Sequence, residues 1–161
     1  MSEDEVFIFE VSKSSFNTSV ILNSYKVPVF VEYMNIWSEP CISMADNLSS
    51  LAKEFAGQFI FAKVDIDEQA ELVEEYAIKN SPSLKIYKDG EVIRSEEGLL
   101  PDDEIRQLLK TYGVFRQSDD LREQARLKHM NGDTIEAISL LTRAIQQDPA
   151  NTRVAIGRAH V

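Results

Sequence analysis

Two nearly continuous apolar runs with a helical pattern between them constrain this chain more than any other feature. In "VPVFVEYM", Val27, Val29, Phe30 and Val31 are β-branched or aromatic, and "FIFAKVDI" repeats that character after Gln58. Runs without polar alternation suit strands covered on both faces of a sheet. Between them Cys41, Met44, Ala45, Leu48, Leu51, Ala52 and Phe55 recur at steps of three and four. That spacing predicts an amphipathic helix from Pro40, with Ser38 as its N-cap. Strands separated by helices are joined by crossovers and not by tight turns, which predicts a mixed sheet with helices on both faces.

The flanking segments extend the pattern. "VFI" at residues 6–8 is a short apolar segment, followed by a polar stretch of helical character, and "EQAELVEEYAI" predicts a second helix. "SPSLKIYKDGEVIRSE" reads as two strands around Asp89-Gly90, a dipeptide suited to the positive φ values of a hairpin turn. After Gly98, "PDDEIRQLLKTYG" opens with proline and acids and closes at Gly113, the signature of a helix. Residues 1–113 are therefore expected to form an α/β domain, a mixed central sheet flanked by helices. Residues 114–161 contain no strand candidate. They divide into two helical patterns around Asn131-Gly132-Asp133. In the second, Ala137, Ile138, Leu140, Leu141, Ala144 and Ile145 share one apolar face, and a further helix is expected to start at Asn151.

Charge narrows the function classes. Of 17 Lys+Arg and 27 Asp+Glu, 7 and 6 fall in residues 114–161, which leaves 10 and 21 in residues 1–113, a net charge there of −11. Such an excess argues against nucleic acid, whose affinity comes largely from Lys and Arg neutralising phosphates. No apolar run approaches the roughly 20 residues that span a bilayer, so no membrane partner is expected. The acidic start "MSEDEV" differs from the basic-then-apolar pattern of a secretory signal, and one cysteine agrees with a reducing compartment. A cytoplasmic location is expected.

The candidate site is "IWSEPC", residues 36–41. Its spacing is that of a Cys-x-x-Cys redox centre, with Ser38 at the first position and only Cys41 a thiol. In a dithiol cycle the first thiolate, stabilised at a helix N-terminus, attacks a substrate disulfide, and the second thiol resolves the mixed disulfide. A serine hydroxyl is not ionised near neutral pH without a base, and the two histidines, His129 and His160, lie outside this domain. The dithiol cycle is closed, so Ser38 and Cys41 are a remnant of a redox motif and no dithiol catalytic residue is assigned. Cys41 has two readings. It is either a small apolar residue packed on the inner helix face or a thiol that forms mixed disulfides with other proteins. Glu39 beside it disfavours a thiolate, while the helix N-terminus favours one. Ile36, Trp37 and Pro40 are not needed for the apolar helix face, which makes them candidates for a peptide-binding surface. The chain has no phosphate-cradling glycine loop and lacks the ligands of a metal site.

"PVFVEYMNIWSEPC", "FAKVDID", "SPSL", "KDGEV" and Gly98, in this order and spacing, resemble thioredoxins over about residues 6–113. Residues 118–151 resemble one tetratricopeptide repeat through Ala125, Gly132, Ala137, Ala144 and Pro149. The combination, with a Ser-x-x-Cys motif, is similar to the bacterial YbbN/CnoX co-chaperones (chaperedoxins). The resemblance implies a thioredoxin fold followed by a short all-α tetratricopeptide-like tail. It further implies a stress-related holdase for unfolded or partly folded client proteins that cooperates with chaperonin and Hsp70-type chaperones and uses no cofactor. By the same resemblance Glu32 and Lys63 match a buried acid–lysine pair. Pro82 matches a cis-proline that holds Ser81 extended toward a bound peptide. Family members continue with further repeats where this chain stops at Val161, so the tail is expected to be truncated or to pack on another surface. Two other readings stay open, a weak oxidoreductase using Cys41 alone and an assembly adaptor whose partner docks on the tail.

Overall fold

The computed structural model describes residues 7–151 and residue 154. Val6 of the first apolar segment and, apart from Asn151 and Val154, the further helix expected from Asn151 lie outside the described residues. The chain divides into two compact units, Met1–Val114 and Phe115–Val161.

The first unit is built on a five-stranded sheet in the order β1-β3-β2-β4-β5. Its strands are β1 (Ile8–Glu10), β2 (Val29–Met34), β3 (Ile60–Asp65), β4 (Ser83–Lys88) and β5 (Glu91–Glu97). β1 and β2 both run parallel to β3, and β4 lies antiparallel to β2 and β5. The helices are α1 (Lys13–Phe16), continued by a wider turn over Asn17–Leu22, α2 (Glu39–Glu54), α3 (Ala70–Glu75) and α4 (Asp102–Thr111). The architecture is the expected mixed sheet with helices on both faces.

Every residue of β2 is buried, and its alternation sorts the apolar ones between two cores. Phe30 and Met34 pack with Met44, Leu48, Leu51 and Phe55 of the α2 region and with Ile105 and Leu109 of α4. Val29, Val31 and Tyr33 face the other way, onto Phe16, Val20 and Leu72. A strand covered twice has no wet face, which is why its sequence shows no polar alternation. All seven apolar positions predicted for α2 are buried. Arg106 of α4 joins α2 through Glu54 (Nη1–Oε2 2.7 Å) and its own helix through Asp102 (Nε–Oδ2 2.8 Å).

The β4–β5 turn holds both Asp89 (φ +52°) and Gly90 (φ +82°) in the left-handed region, as a two-residue hairpin requires. Two local expectations change. The predicted second helix is confined to Ala70–Glu75, and Ala77 beyond it takes φ +52°. In the second unit, α5 (Gln117–Met130) and α6 (Thr134–Gln147) form a helical hairpin around Leu121, Ala125, Ala137, Leu140, Leu141 and Ala144, with Val154 added. Ile138, expected on this apolar face, is instead exposed.

Candidate functional site

β2 delivers the chain to Asn35, Ile36 and Trp37 at the C-terminal edge of the sheet, and α2 starts immediately after. Ser38 occupies the N-cap position, and its carbonyl accepts the Ile42 N–H at 2.9 Å. This is the expected N-cap position, although the Ser38 side chain makes no capping hydrogen bond. Pro40 sits in the first turn, where its missing N–H costs the helix nothing.

Cys41 is fully buried within the α2-side core. Its Sγ lies 2.9 Å from Ser81 Oγ, and Ser81 Oγ donates to Asn35 Oδ1 at 2.5 Å. Asn35 in turn donates from Nδ2 to Asp67 Oδ2 at 3.3 Å, and Trp37 Nε1 donates to the same oxygen at 3.2 Å. The direction of the chain follows from its ends. Asp67 accepts from both neighbours, so Asn35 turns its amide nitrogen toward Asp67 and its oxygen toward Ser81. Ser81 then spends its one proton on Asn35, and the Cys41 thiol is left to donate to Ser81. The geometry thus uses Cys41 as a buried S–H donor.

The Ser81–Pro82 peptide is cis. Pro82 is buried, and its carbonyl accepts the Gly98 N–H at 2.8 Å. The cis bond is the one the resemblance implied at this position. Ser81 is half-buried, and Pro40 is exposed. Ile36 and Trp37 are 63% and 73% exposed, so Trp37 stands out from the surface. Asn35 and Asp67 belong to this site and were not singled out in the sequence. Asp67 lies 30 residues from Trp37, and nothing short of the β2–β3 pairing signals their approach.

Glu32 and Lys63 are register partners on adjacent strands, but they form no ion pair. Both carboxyl oxygens of Glu32 are buried without a hydrogen-bond partner. Lys63 Nζ instead reaches Glu10 Oε1 at 4.0 Å. Burial raises the Glu32 pKa to about 8, against the opposing pull of Lys63 and with a smaller push from Asp46. At neutral pH Glu32 is mostly a neutral acid. Among the described residues no group of three His, Cys, Asp or Glu side chains could hold a metal ion, and no helix is long and apolar enough to cross a membrane.

The thioredoxin family model matches residues 7–111. The chain belongs to the thioredoxin family. Its relatives include thioredoxin M4 of Arabidopsis thaliana chloroplasts, 33% identical over 104 residues, which cover 65% of this chain and 53% of that protein. Thioredoxin 1 of Chlorobaculum tepidum is 29% identical over 94 residues, 58% of this chain and 93% of the relative. A thioredoxin of Haemophilus influenzae is 28% identical over 94 residues, 58% of this chain and 87% of its own length. The match covers the thioredoxin unit and ends before α5, so the helical hairpin stands outside the family's shared region. Within this thioredoxin unit Ser38 and Cys41 stand at the start of α2, and Cys41, the chain's one cysteine, is buried.

Proposed function

We propose that this thioredoxin-family chain is a redox-disabled binding module of the bacterial cytoplasm, a holdase-type co-chaperone that captures extended apolar segments of non-native proteins and passes them to chaperonin or Hsp70-type machines. The observation that carries this reading is the exposure of Ile36 and Trp37 beside Ser81, with the indole tied to Asp67 instead of packed inward. Covering a large apolar side chain is worth roughly 1.5–3 kcal/mol. Two adjacent ones on a pre-positioned turn make a small capture surface. The burial of Cys41 supports a non-covalent mode, because a thiol must be reached before it can attack.

The test is suppression of aggregation of an unrelated heat-denatured protein by the full chain. Equimolar chain is expected to suppress, and Ile36→Ser with Trp37→Ser to abolish most of the effect while leaving the far-UV circular dichroism unchanged. Absence of suppression by the unaltered chain would remove the holdase reading. Insulin reduction above background, lost in Cys41→Ala, would favour the oxidoreductase reading instead.

A further inference from the structure

On the α2 face of the sheet, at the end where β1, β2 and β3 finish, lies an open cavity of about 630 Å³. Its walls are of two kinds. Val11, Met34, Ile36, Ile42 and Ala45 form an apolar channel, while Glu10, Asp46, Asp65 and Glu68 bring four carboxylates against the single ammonium of Lys63. Ser12 and Gln69 complete the lining. Behind this wall sits Glu32, fully buried, with neither carboxyl oxygen paired. Strand alternation puts Glu32 on the same sheet face as Met34, and β2–β3 pairing sets it opposite Lys63, both of which line the cavity. Asp46, also in the lining, is the acid that acts on its carboxyl. The cleft is thus net-acidic, four carboxylates to one ammonium, and the buried acid behind it has no hydrogen-bond partner of its own.

We infer that this cleft takes the side chain of an arginine or lysine from a bound polypeptide, its alkyl stem along Met34, Ile36 and Ile42 and its charged head among Glu10, Asp46 and Glu68. A small metal ion fits poorly, because more than a third of the named lining is aliphatic and no three ligands converge among the described residues. A long stem ending in several donors matches both kinds of wall at once. A polypeptide source is favoured over a free amine by Ile36. That residue lines the cleft and is also 63% exposed beside Trp37, so a chain lying on the proposed capture surface passes the cleft mouth. The inference rests on that reading for its source of the cation and adds a specificity to it: apolar segments flanked by a basic residue.

The experiment uses the full chain in two arms. In the first, n-butylguanidinium is titrated while the methyl resonances of Ile36, Ile42 and Ala45 are followed by NMR, with n-butanol as the neutral control. The guanidinium is expected to shift these methyls saturably, and Asp46→Asn with Glu68→Gln, both at exposed positions, to weaken it at least about 5-fold. No saturable shift in the unaltered chain overturns the cleft, whatever peptides do. In the second arm, Trp37 fluorescence reports binding of two otherwise identical apolar peptides carrying Arg or Gln at the centre. The Arg peptide is expected to bind about 10-fold tighter, a preference that collapses in the Asp46→Asn/Glu68→Gln chain. Equal binding of both peptides overturns the polypeptide assignment. A guanidinium response with no binding of either peptide overturns it too and points to a free amine, and in that case the capture surface fails while the cleft stands.

Discussion

The thiol of Cys41 donates to the hydroxyl of Ser81 across 2.9 Å, and that hydroxyl's own proton is committed to Asn35. The residue that looks like half of a redox centre is therefore one link in a hydrogen-bonded chain that ends on Asp67 and Trp37.

Burial of this link predicts slow chemistry. Native Cys41 is expected to react with iodoacetamide at least about 100-fold more slowly than the urea-unfolded chain, since alkylation must await local opening. Ser81→Ala removes both the acceptor of the thiol and the donor to Asn35. A loss of about 1–2 kcal/mol in urea unfolding is expected for a buried thiol and a half-buried amide oxygen left unpaired. Equal alkylation rates in the folded and unfolded chain would show that the thiol is open to solvent.

Returning a thiol to the N-cap position tests whether the missing first sulfur is what closes the dithiol cycle. Ser38→Cys restores two sulfurs three residues apart at the start of α2. On oxidation the variant is expected to lose both titratable thiols, and on reduction to turn over insulin, which the natural chain with its single cysteine does not do by this route. Retention of two free thiols after mild oxidation would mean that burial of Cys41, and not only the missing partner, disables the site.

Much of the fold was legible because β2 and α2 speak clearly. A nearly continuous apolar strand and a three-four helical repeat each admit one placement. The site was legible only in part. Ile36 and Trp37 stood out because the helix had no use for them. The partners of Trp37 and Cys41 come from 30 and 40 residues away, through strand pairing and the loop before Pro82. The Glu32–Lys63 pair was expected from resemblance, yet register adjacency does not set side-chain reach, and Lys63 turns to Glu10. The α5–α6 hairpin was visible as two helical patterns. Which apolar residues face inward was less so, as the exposure of Ile138 shows.

In the helical hairpin, Asp148 after α6 accepts from Arg116 (Nε 2.7 Å, Nη2 2.6 Å) and Ser118 (Oγ 2.7 Å) at the start of α5. The Arg116 hydrogen bonds hold the Asp148 carboxyl below its ordinary value. A lowered carboxyl pKa stabilises the folded form above the unfolded value, and that contribution is lost as pH falls through the folded one. The pair is partly buried, so Asp148→Asn is expected to cost about 1–2 kcal/mol at neutral pH, and less in high salt. Hydrogen exchange of the first turn of α5 and the last turn of α6 checks this; unchanged protection in both would show the clamp to be idle.

Glu32 gives the opposite sign. Its folded pKa is raised to about 8 from an ordinary value of 4.5, chiefly by burial. Below about pH 4.5 the carboxyl is neutral in the folded and unfolded chain alike, and it costs nothing electrostatic. Between 4.5 and 8 the unfolded chain ionises while the folded chain keeps its proton, so stability drains away as pH rises and the loss is complete above 8. Glu32→Gln, which keeps the shape and removes the charge, is expected to match the natural chain near pH 4. Its advantage should grow through this window to the order of 5 kcal/mol at about pH 9. The difference between two urea-unfolding series isolates this one group, because every other titration is common to both. A constant gap across pH would mean that Glu32 stays ionised in the fold, and would require a cation paired with it.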